Sequence, residues 1–530
     1  MRARPLGLGA LAAVCALMAA ACGSGKSIIV AGNDTPTATT VVTPSPPPTS
    51  AAPGTTLPGS EGSLPPPTTA TGEQPPATPP ATSATTTTTP LAALPDCPVD
   101  ALAGAAEPVE ITFWHGLNVD NEDAIKRITD DYNASQTRVR VASENQGGYL
   151  ETIDKFFQST VDDRPALVMF VDYTTQQVID SGTVIPTQAC VEAAGFDASG
   201  FQPSTIAAYS AGGVQWGMPF NVSNPILYYN RNMFTAAGLD PDRPPQSLEE
   251  LRQYSQQLVD SGAASYGLAI ESGSGSGGGW YIEQWFANMG ELYADNGNGR
   301  LAPATRVLYD GPAGVQLLSY VQSLINDGLA VYVGDNAGGA DQLLKMADSS
   351  APAAMALGSS AFLGTVITTL AGGLVPGLGA EDVGVGPMPG PVPPATALVG
   401  GAAIYVTEGK SDLEAAAAWD FMRYMVSPEV QSLFATMTGY VPMRADALDV
   451  EPAVSVYSAD PRYRIAYDQL VKTTDSPASL GPILGPQREI RSITANAVAE
   501  IFNGGDVQSA LTSAAEQSNA LLANYIANNF

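Results

Sequence analysis

Aromatic rings and a carboxylate lie at the ends of three predicted strands, where together they could bind a polyhydroxylated ligand. Trp114 and His115 follow the first strand, a segment ending in Tyr149 follows the second, and Asp172 follows the third. In open parallel sheets, ligands bind beyond the carboxyl ends of the strands. Rings can stack on the C–H faces of such a ligand, and carboxylates accept hydrogen bonds from its hydroxyl groups. Any one ring could equally pack in a core, so the hypothesis depends on their convergence.

The sequence carries few residues suited to catalysis or metal binding. His115 is the only histidine, which excludes a His-rich metal site, and no G-x-S-x-G, HExxH or CxxC motif is present. One catalytic alternative is a glycosidase with paired carboxylates, for which Glu144 and Asp172 are the candidates.

The elements that must position these side chains alternate along the chain. Residues 109–113 and 139–141 have the pattern of strands, and residues 166–171 form an apolar run typical of a strand buried on both faces. Helical periodicity separates them at 121–134 and 152–159. This order predicts a parallel α/β sheet. Further helices are predicted at 248–258, from the capping box at Ser411 to Met425, from Pro428 onward, and at 507–525.

The N-terminus has the layout of an export signal. Arg2 and Arg4 precede an apolar stretch at residues 6–18, and three alanines then lead to Cys22. This arrangement is similar to the lipobox of bacterial lipoproteins, in which the cysteine carries the lipid. We therefore predict a signal peptide at residues 1–21 and lipidation of Cys22, with a plainly secreted product as the alternative.

Residues 22–96 are predicted to be a tether. The segment is rich in Thr, Pro, Ala, Ser and Gly and nearly free of charge, so it cannot bury enough apolar surface to offset the entropy of ordering. The folded region is then 97–530. The whole chain has 23 basic and 52 acidic residues, a net charge of −29, which disfavours nucleic acid as a partner and favours solubility.

The four cysteines divide between the export segment and the folded region. Cys15 lies in the signal peptide and Cys22 is the predicted anchor, which leaves Cys97 and Cys190. Disulfides persist in the oxidising compartment that an export signal implies. We predict that Cys97 and Cys190 are paired, with two buried thiols as the alternative.

A set of ordered motifs resembles a known family. PFNVSNPILYYNRNMFTAAGLDPDRPPQSLEEL at residues 219–251 is similar to a segment of family 1 extracellular solute-binding proteins of ABC importers. Four shorter segments resemble other motifs of that family in the same order. They are ITFWHG at 111–116, GVGPMPG at 384–390, GGAAIYV at 400–406 and TGYVPMR at 438–444. The resemblance implies an α/β fold of the periplasmic-binding-protein type, with two lobes, a hinge and a ligand cleft between the lobes.

The resemblance also implies how the chain divides between the lobes. Crossovers are expected near Pro219, near 355–359 and near 400–403. The first lobe would contain about 98–220 and 357–402, and the second lobe about 221–356 and 403–530.

Within the family, the chain is most similar to the branch that binds glycerol-3-phosphate and glycerophosphodiesters. Arg491 corresponds to the branch's arginine, and its planar fork suits a phosphate. The other predicted ligand-binding residues come from the resemblance, from the strand ends and from the aromatic residues that follow the glycine-rich loop at 272–279. They are Trp114, His115, Tyr149, Asp172, Ser223, Trp280, Trp285, Ser359, Gly401 and Tyr440. Ser360 could take the place of Ser359, and the tryptophans would also suit a sugar.

The function implied is that of a substrate-binding lipoprotein on the extracellular face of the cell membrane. It would be a binding protein without a metal or other cofactor, not an enzyme. It would work as a monomer, held to the membrane by its lipid alone, that delivers sn-glycerol-3-phosphate or a glycerophosphodiester to ABC permease subunits. A sugar or oligosaccharide is the alternative ligand. More distant alternatives are an extracellular glycoside hydrolase and a cell-wall scaffold that has lost transport.

Overall fold

The structure, a computed structural model, describes residues 94–118, 120–273, 278–336, 339–394, 396–473 and 476–529. The predicted signal peptide, the anchor at Cys22 and nearly all of the predicted tether lie outside the described residues.

The first sheet forms around β3, whose five apolar residues are all buried as the uninterrupted run predicts. Its strands are β1 (Val109–His115), β2 (Val139–Asn145), β3 (Leu167–Val171), β4 (Val184–Ile185), β7 (Met218–Ser223) and β13 (Gly400–Thr407). The order is β2-β1-β3-β13-β4, and β7 pairs with β13. β1 is parallel to β2 and β3, which confirms the predicted parallel unit, whereas β13 is antiparallel to its neighbours.

The second sheet is also mixed. Its strands are β8 (Pro225–Asn230), β9 (Tyr266–Ile270), β10 (Ala330–Tyr332), β11 (Ala353–Ser359) and β12 (Val383–Pro387). The order is β10-β9-β11-β8-β12; β9 is parallel to both of its neighbours, whereas β8 is antiparallel to both of its own. A separate hairpin pairs β5 (Ser210–Ala211) with β6 (Val214–Gln215).

Helices cover the sheets, and several begin where the sequence signals predict. Ser411 and Glu414 form the expected capping box, and Ser427 caps the helix that starts at Pro428. The helices of the first part of the chain are α1 (Asp120–Ser135), α2 (Tyr149–Gln158), α3 (Thr175–Asp180), α4 (Thr187–Ala194), α5 (Pro203–Ala208), α6 (Arg231–Ala236), α7 (Leu248–Asp260) and α8 (Gly278–Met289). The later ones are α9 (Asp295–Asn298), α10 (Pro312–Asn326), α11 (Asp341–Leu344), α12 (Leu363–Ala371), α13 (Asp412–Met425), α14 (Pro428–Thr438), α15 (Ala453–Ala459), α16 (Arg462–Val471), α17 (Gln487–Phe502) and α18 (Val507–Asn529).

Each sheet is the centre of one lobe, and the lobes divide the chain differently from the expected ranges. β12 lies in the second sheet, although 357–402 was expected in the first lobe. α13 packs against β1, and α14 packs against α1, although 403–530 was expected in the second lobe. Crossovers were expected near Pro219, 355–359 and 400–403; the chain passes from the first sheet to the second between β7 and β8 and returns between β12 and β13. The periodicity of a helix does not tell which sheet it covers.

Backbone and side-chain hydrogen bonds join the segments that pass between the sheets. The backbone N–H of Ser360 donates to the carbonyl of Asn224 at 2.9 Å, so two crossing segments meet directly. Gln469 of α16 donates to the carbonyl of Pro225 at 2.8 Å and accepts from the backbone N–H of Met388 at 2.7 Å.

The predicted disulfide is present. Cys97 and Cys190 are bonded, with their Cα atoms 5.0 Å apart. The bond ties the start of the described chain to α4 in the first lobe. Within the described residues, none of the helices combines the length and the apolar character needed to cross a membrane. In the same part of the chain, His, Cys, Asp and Glu side chains form no group suited to a metal ion.

Candidate ligand-binding cleft

A cleft lies between the two lobes. Its empty volume is about 360 Å³, counting the part open to solvent. The first lobe contributes Asp172 and Ala208, and the rest of the lining comes from the segment before β13 and from the second lobe: Trp280, Glu283, Arg300, Leu398, Val399, Leu480, Gly481, Pro482, Ile483, Gln487 and Arg491. Three predicted binding residues, Asp172, Trp280 and Arg491, therefore meet at one place.

Arg491 is held by a buried carboxylate that the sequence analysis did not identify. Its Nε donates to Glu283 Oε1 at 2.9 Å, and its Nη2 donates to Glu283 Oε2 at 2.6 Å. Both side chains are almost fully buried, at 4% and 1% exposed. Arg491 lies on α17 and Glu283 on α8, so the ion pair belongs to the second lobe alone.

The first lobe adds two contacts to the same guanidinium. Asp172 Oδ2 lies 3.5 Å from Arg491 Nη2, and the guanidinium carbon lies 4.6 Å from the centre of the Tyr173 ring. Burial alone would lower the pKa of Arg491, but the charges of Glu283 and Asp172 outweigh that effect and raise it above its usual value. The arginine is therefore a permanent cation facing two carboxylates.

Asp172 titrates unusually high for an aspartate. Burial raises its pKa to about 6, the cation of Arg491 opposes this rise, and the charge of Glu283 adds to it. At neutral pH the carboxylate is mainly ionised and can accept hydrogen bonds from a ligand. It does so at a free-energy cost, because the charge is partly withdrawn from water.

Arg300 crosses the cleft. Its guanidinium donates to the carbonyls of Ala207, Ala208 and Ser210 in the first lobe, at 3.0, 3.5 and 3.3 Å. It also donates to the carbonyls of Gly481 and Leu480, at 2.8 and 2.5 Å. α5 ends at Ala208, and the carbonyls at the end of a helix attract cations. Burial lowers the pKa of Arg300 to about 10, which still leaves it charged at neutral pH.

A second group of predicted residues lies beside the crossover strands. The hydroxyl oxygens of Tyr149 and Tyr440 are 3.1 Å apart, and Asn221 Nδ2 donates to Tyr149 at 2.7 Å. Gly401 has φ +95°, and a Cβ there would meet the carbonyl of Asn221 at 1.9 Å, so only glycine fits. Ser223 pairs with Gly400 in the adjacent strand.

Trp280 connects this group to the cleft. A Cβ on Gly400 would come within 2.8 Å of the Trp280 ring, so the ring packs directly against the start of β13. One side of the cleft, where Trp280 lies, is therefore near four of the predicted residues: Tyr149, Ser223, Gly401 and Tyr440.

Comparison with known proteins identifies the family of this chain. A family model described as bacterial extracellular solute-binding protein matches residues 126–464, more than half of the chain. The chain belongs to the bacterial extracellular solute-binding protein family. This confirms the resemblance that the motifs predict, and it makes the chain a binding protein rather than an enzyme.

Individual relatives of this solute-binding protein are distant but cover most of it. The sn-glycerol-3-phosphate-binding periplasmic protein UgpB of Pectobacterium atrosepticum is 26% identical over 79% of this chain and 93% of the relative. The protein of the same name from Rhizobium meliloti is 26% identical over 80% of this chain and 96% of the relative.

Solved structures confirm the two-lobe fold. The cyclic alpha-maltosyl-1,6-maltose binding protein of Arthrobacter globiformis superposes with a TM-score of 0.64 at 22% identity, over 79% of this chain and 100% of that one. UgpB of Mycobacterium tuberculosis in complex with glycerophosphocholine gives a TM-score of 0.64 at 21% identity, over 79% and 99%. At these identities the likeness concerns the fold.

Four predicted residues make other contacts in this solute-binding protein. The Trp114 indole donates to Glu144 Oε2 at 2.9 Å and packs in a cluster with Phe156. Trp285 donates to the carbonyl of Pro389 at 3.0 Å within the core of the second lobe. These contacts fix both rings in their own surroundings, away from the lining of the cleft described above.

His115 and Ser359 also have local partners. His115 is buried, and burial lowers its pKa to about 4, so the ring is neutral and its Nδ1 accepts from the backbone N–H of Leu117. Ser359 Oγ accepts from the backbone N–H of Ala361 and so caps the short turn that follows β11. Their roles in ligand binding stay predictions.

Sequence reasoning missed Glu283 and Arg300. Glu283 had a signal, because a carboxylate within the apolar helix WYIEQWF must be paired if the helix is buried. It stands three residues after Trp280, hence on the same face of α8. Arg300 had none, since it follows a turn of Asn and Gly residues that says nothing about the opposite lobe.

Proposed function

We propose that the chain captures a small hydroxyl-bearing solute in the interlobe cleft and delivers it to an ABC importer. The observation that carries the proposal is the convergence of Asp172, Trp280 and Arg491 on one cleft from three separate elements. An aromatic face beside a carboxylate suits a ligand with C–H faces and hydroxyl groups.

Two ligand classes fit this proposal and differ in charge. The curated relatives are named for sn-glycerol-3-phosphate, which favours a glycerol phosphate compound held by Arg491. A structural neighbour is named for a maltose derivative, which favours a sugar or oligosaccharide stacked on Trp280. A panel of neutral and phosphorylated solutes therefore separates the two.

Ligand binding would favour the closed arrangement of the lobes. Asp172 belongs to the first lobe, whereas Trp280 and Arg491 belong to the second, so a solute that contacts all three holds the lobes together. A ligand shifts such an equilibrium only by its difference in affinity for the two arrangements. The closed form would then dock on the permease subunits.

The protein would work as a monomer on the extracellular face of the membrane, anchored through a lipid on Cys22. The support for the anchor is the sequence pattern of residues 1–22. Fractionation of cells that produce wild type and Cys22→Ser tests it. The wild type should stay with the membrane and the variant should not; equal release of both into the medium would mean that Cys22 carries no anchor.

Isothermal titration calorimetry on the folded protein tests the ligand site. The panel contains maltose, maltotriose, glycerol, sn-glycerol-3-phosphate and glycerophosphocholine. Trp280→Leu should weaken binding of any member at least tenfold, because it removes the ring that lines the cleft. Trp285→Leu is the matched control, since it removes a buried ring that packs in the core. Equal affinities of wild type and Trp280→Leu would refute the site.

A further inference from the structure

One of the two donor forks of the Arg491 guanidinium is already occupied. A planar guanidinium binds an oxyanion through two parallel N–H donors. Nε and Nη2 form one such fork, and Glu283 accepts both bonds at 2.9 and 2.6 Å, while Nη2 also lies 3.5 Å from the carboxylate of Asp172. Both partners come from the second lobe, so separating the lobes does not release them.

The remaining charges of the cleft do not favour an anion either. Asp172 adds a second carboxylate, 3.5 Å from the same guanidinium. Arg300 is the other cation in the lining, and its guanidinium makes five hydrogen bonds to backbone carbonyls. A phosphate entering the cleft would lose its hydration and meet two carboxylates beside an arginine that already pairs with one of them.

We propose that Glu283 determines the charge of the ligand: by pairing with Arg491 and adding a buried negative charge beside it, Glu283 excludes phosphorylated solutes and selects uncharged, hydroxyl-bearing ones. The inference rests on the proposed function and names its ligand class. Specificity of this kind comes from a repulsive group placed against the wrong ligand. Hydroxyl groups satisfy the site, because they donate to carboxylates and accept from a guanidinium.

The deciding experiment is calorimetry with inorganic phosphate and sn-glycerol-3-phosphate on wild type and Glu283→Gln. The substitution keeps the shape of the side chain and removes its charge, so affinity for both anions should rise at least tenfold. Glu489→Gln is the matched control, because it removes an exposed charge from α17, the helix that carries Arg491. Adding Arg491→Gln to Glu283→Gln should abolish the gain.

Unchanged or weaker anion binding by Glu283→Gln would overturn the inference, and so would tight binding of sn-glycerol-3-phosphate by the wild type. Asp172→Asn is the second variant in case Glu283→Gln does not fold: it should show a smaller gain of the same sign, and no gain there would also count against the inference. Failure of the proposed function looks different, because the wild type would then bind no solute of the panel, neutral or charged.

Discussion

Two arginines line the same cleft, and their partners are of opposite kinds. Arg491 faces the carboxylates of Glu283 and Asp172, which raise its pKa above the usual value despite burial. Arg300 donates to five backbone carbonyls, and burial lowers its pKa to about 10. One cation is neutralised by opposite charge, and the other is stabilised by dipoles.

The contacts of the two arginines would respond differently to separation of the lobes. The pair of Arg491 with Glu283 lies within the second lobe, so opening of the lobes would leave it intact. The bonds from Arg300 to Ala207, Ala208 and Ser210 join the lobes and would break on opening. Under the proposed function, Arg491 therefore bears on selectivity, and Arg300 on closure.

The largest expected effect follows from breaking the buried ion pair. Arg491→Met leaves Glu283 buried without its partner, which should lower the free energy of unfolding by about 3–5 kcal/mol. The double variant Arg491→Met with Glu283→Leu should lose less, because it removes the stranded charge. Urea unfolding measures both. The single variant Glu283→Leu completes the cycle. If the double variant lost as much free energy of unfolding as Arg491→Met and Glu283→Leu together, the two charges would not be coupled.

The raised pKa of Asp172 predicts a pH dependence. Its pKa is about 6 in the folded protein and near 3.8 in the unfolded chain, so the folded state binds more protons between these values. The free energy of unfolding contributed by this group therefore falls as pH rises from 4 to 6. At pH 7 the cost amounts to about 3 kcal/mol at most.

Urea unfolding of wild type and Asp172→Asn at pH 4, 5, 6 and 7 measures this contribution. The variant should gain stability relative to wild type as the pH rises, because the asparagine does not titrate. Asp162→Asn is the control, since that side chain is exposed. A difference between wild type and Asp172→Asn that stays constant over this range would contradict the assignment.

Loss of the cross-lobe arginine should open the cleft at a smaller cost in stability. Arg300→Met keeps an unbranched apolar stem but removes the guanidinium donors; the freed carbonyls can reach water once the lobes part, so the loss should be about 1–2 kcal/mol. Small-angle scattering without ligand should show a larger radius of gyration than for wild type. Arg306→Met, an exposed arginine nearby, is the control and should leave the radius unchanged. An unchanged radius for Arg300→Met would mean that other contacts hold the lobes closed.

Local features of the fold could be predicted from the sequence, whereas the assignment of elements to lobes could not. The strand–helix alternation from Val109 to Val171 and the capping box at Ser411 were predictable, because they depend on nearest neighbours along the chain. The lobe assignment of β12 and α13 was not, because pairing with β8 or packing on β1 is decided by residues far away in sequence.

The same limit applies to the cleft. Arg491 was identified from a motif, but its meaning changes once Glu283 is seen at 2.6 Å. Strand ends suggested Asp172 and Trp114 equally; Asp172 lines the cleft, whereas the Trp114 indole is bonded to Glu144. Position along a strand predicts which edge a residue reaches, whereas its partners decide whether it is available to a ligand.

A third arginine, Arg488, also joins two elements of the fold, but it is partly exposed. Its substitution tests whether burial of a cross-lobe arginine, rather than the mere presence of a cross-lobe bond, is needed to keep the lobes closed. Arg488 on α17 reaches Asp154 on α2 at 2.8 Å, and the two side chains are 36% and 50% exposed. Water screens such a pair, so Arg488→Met should change the free energy of unfolding by less than about 1 kcal/mol and leave the radius of gyration unchanged. If it opened the cleft as far as Arg300→Met, closure would depend on the number of cross-lobe bonds. The carbonyls around Arg300 would then have no special part in it.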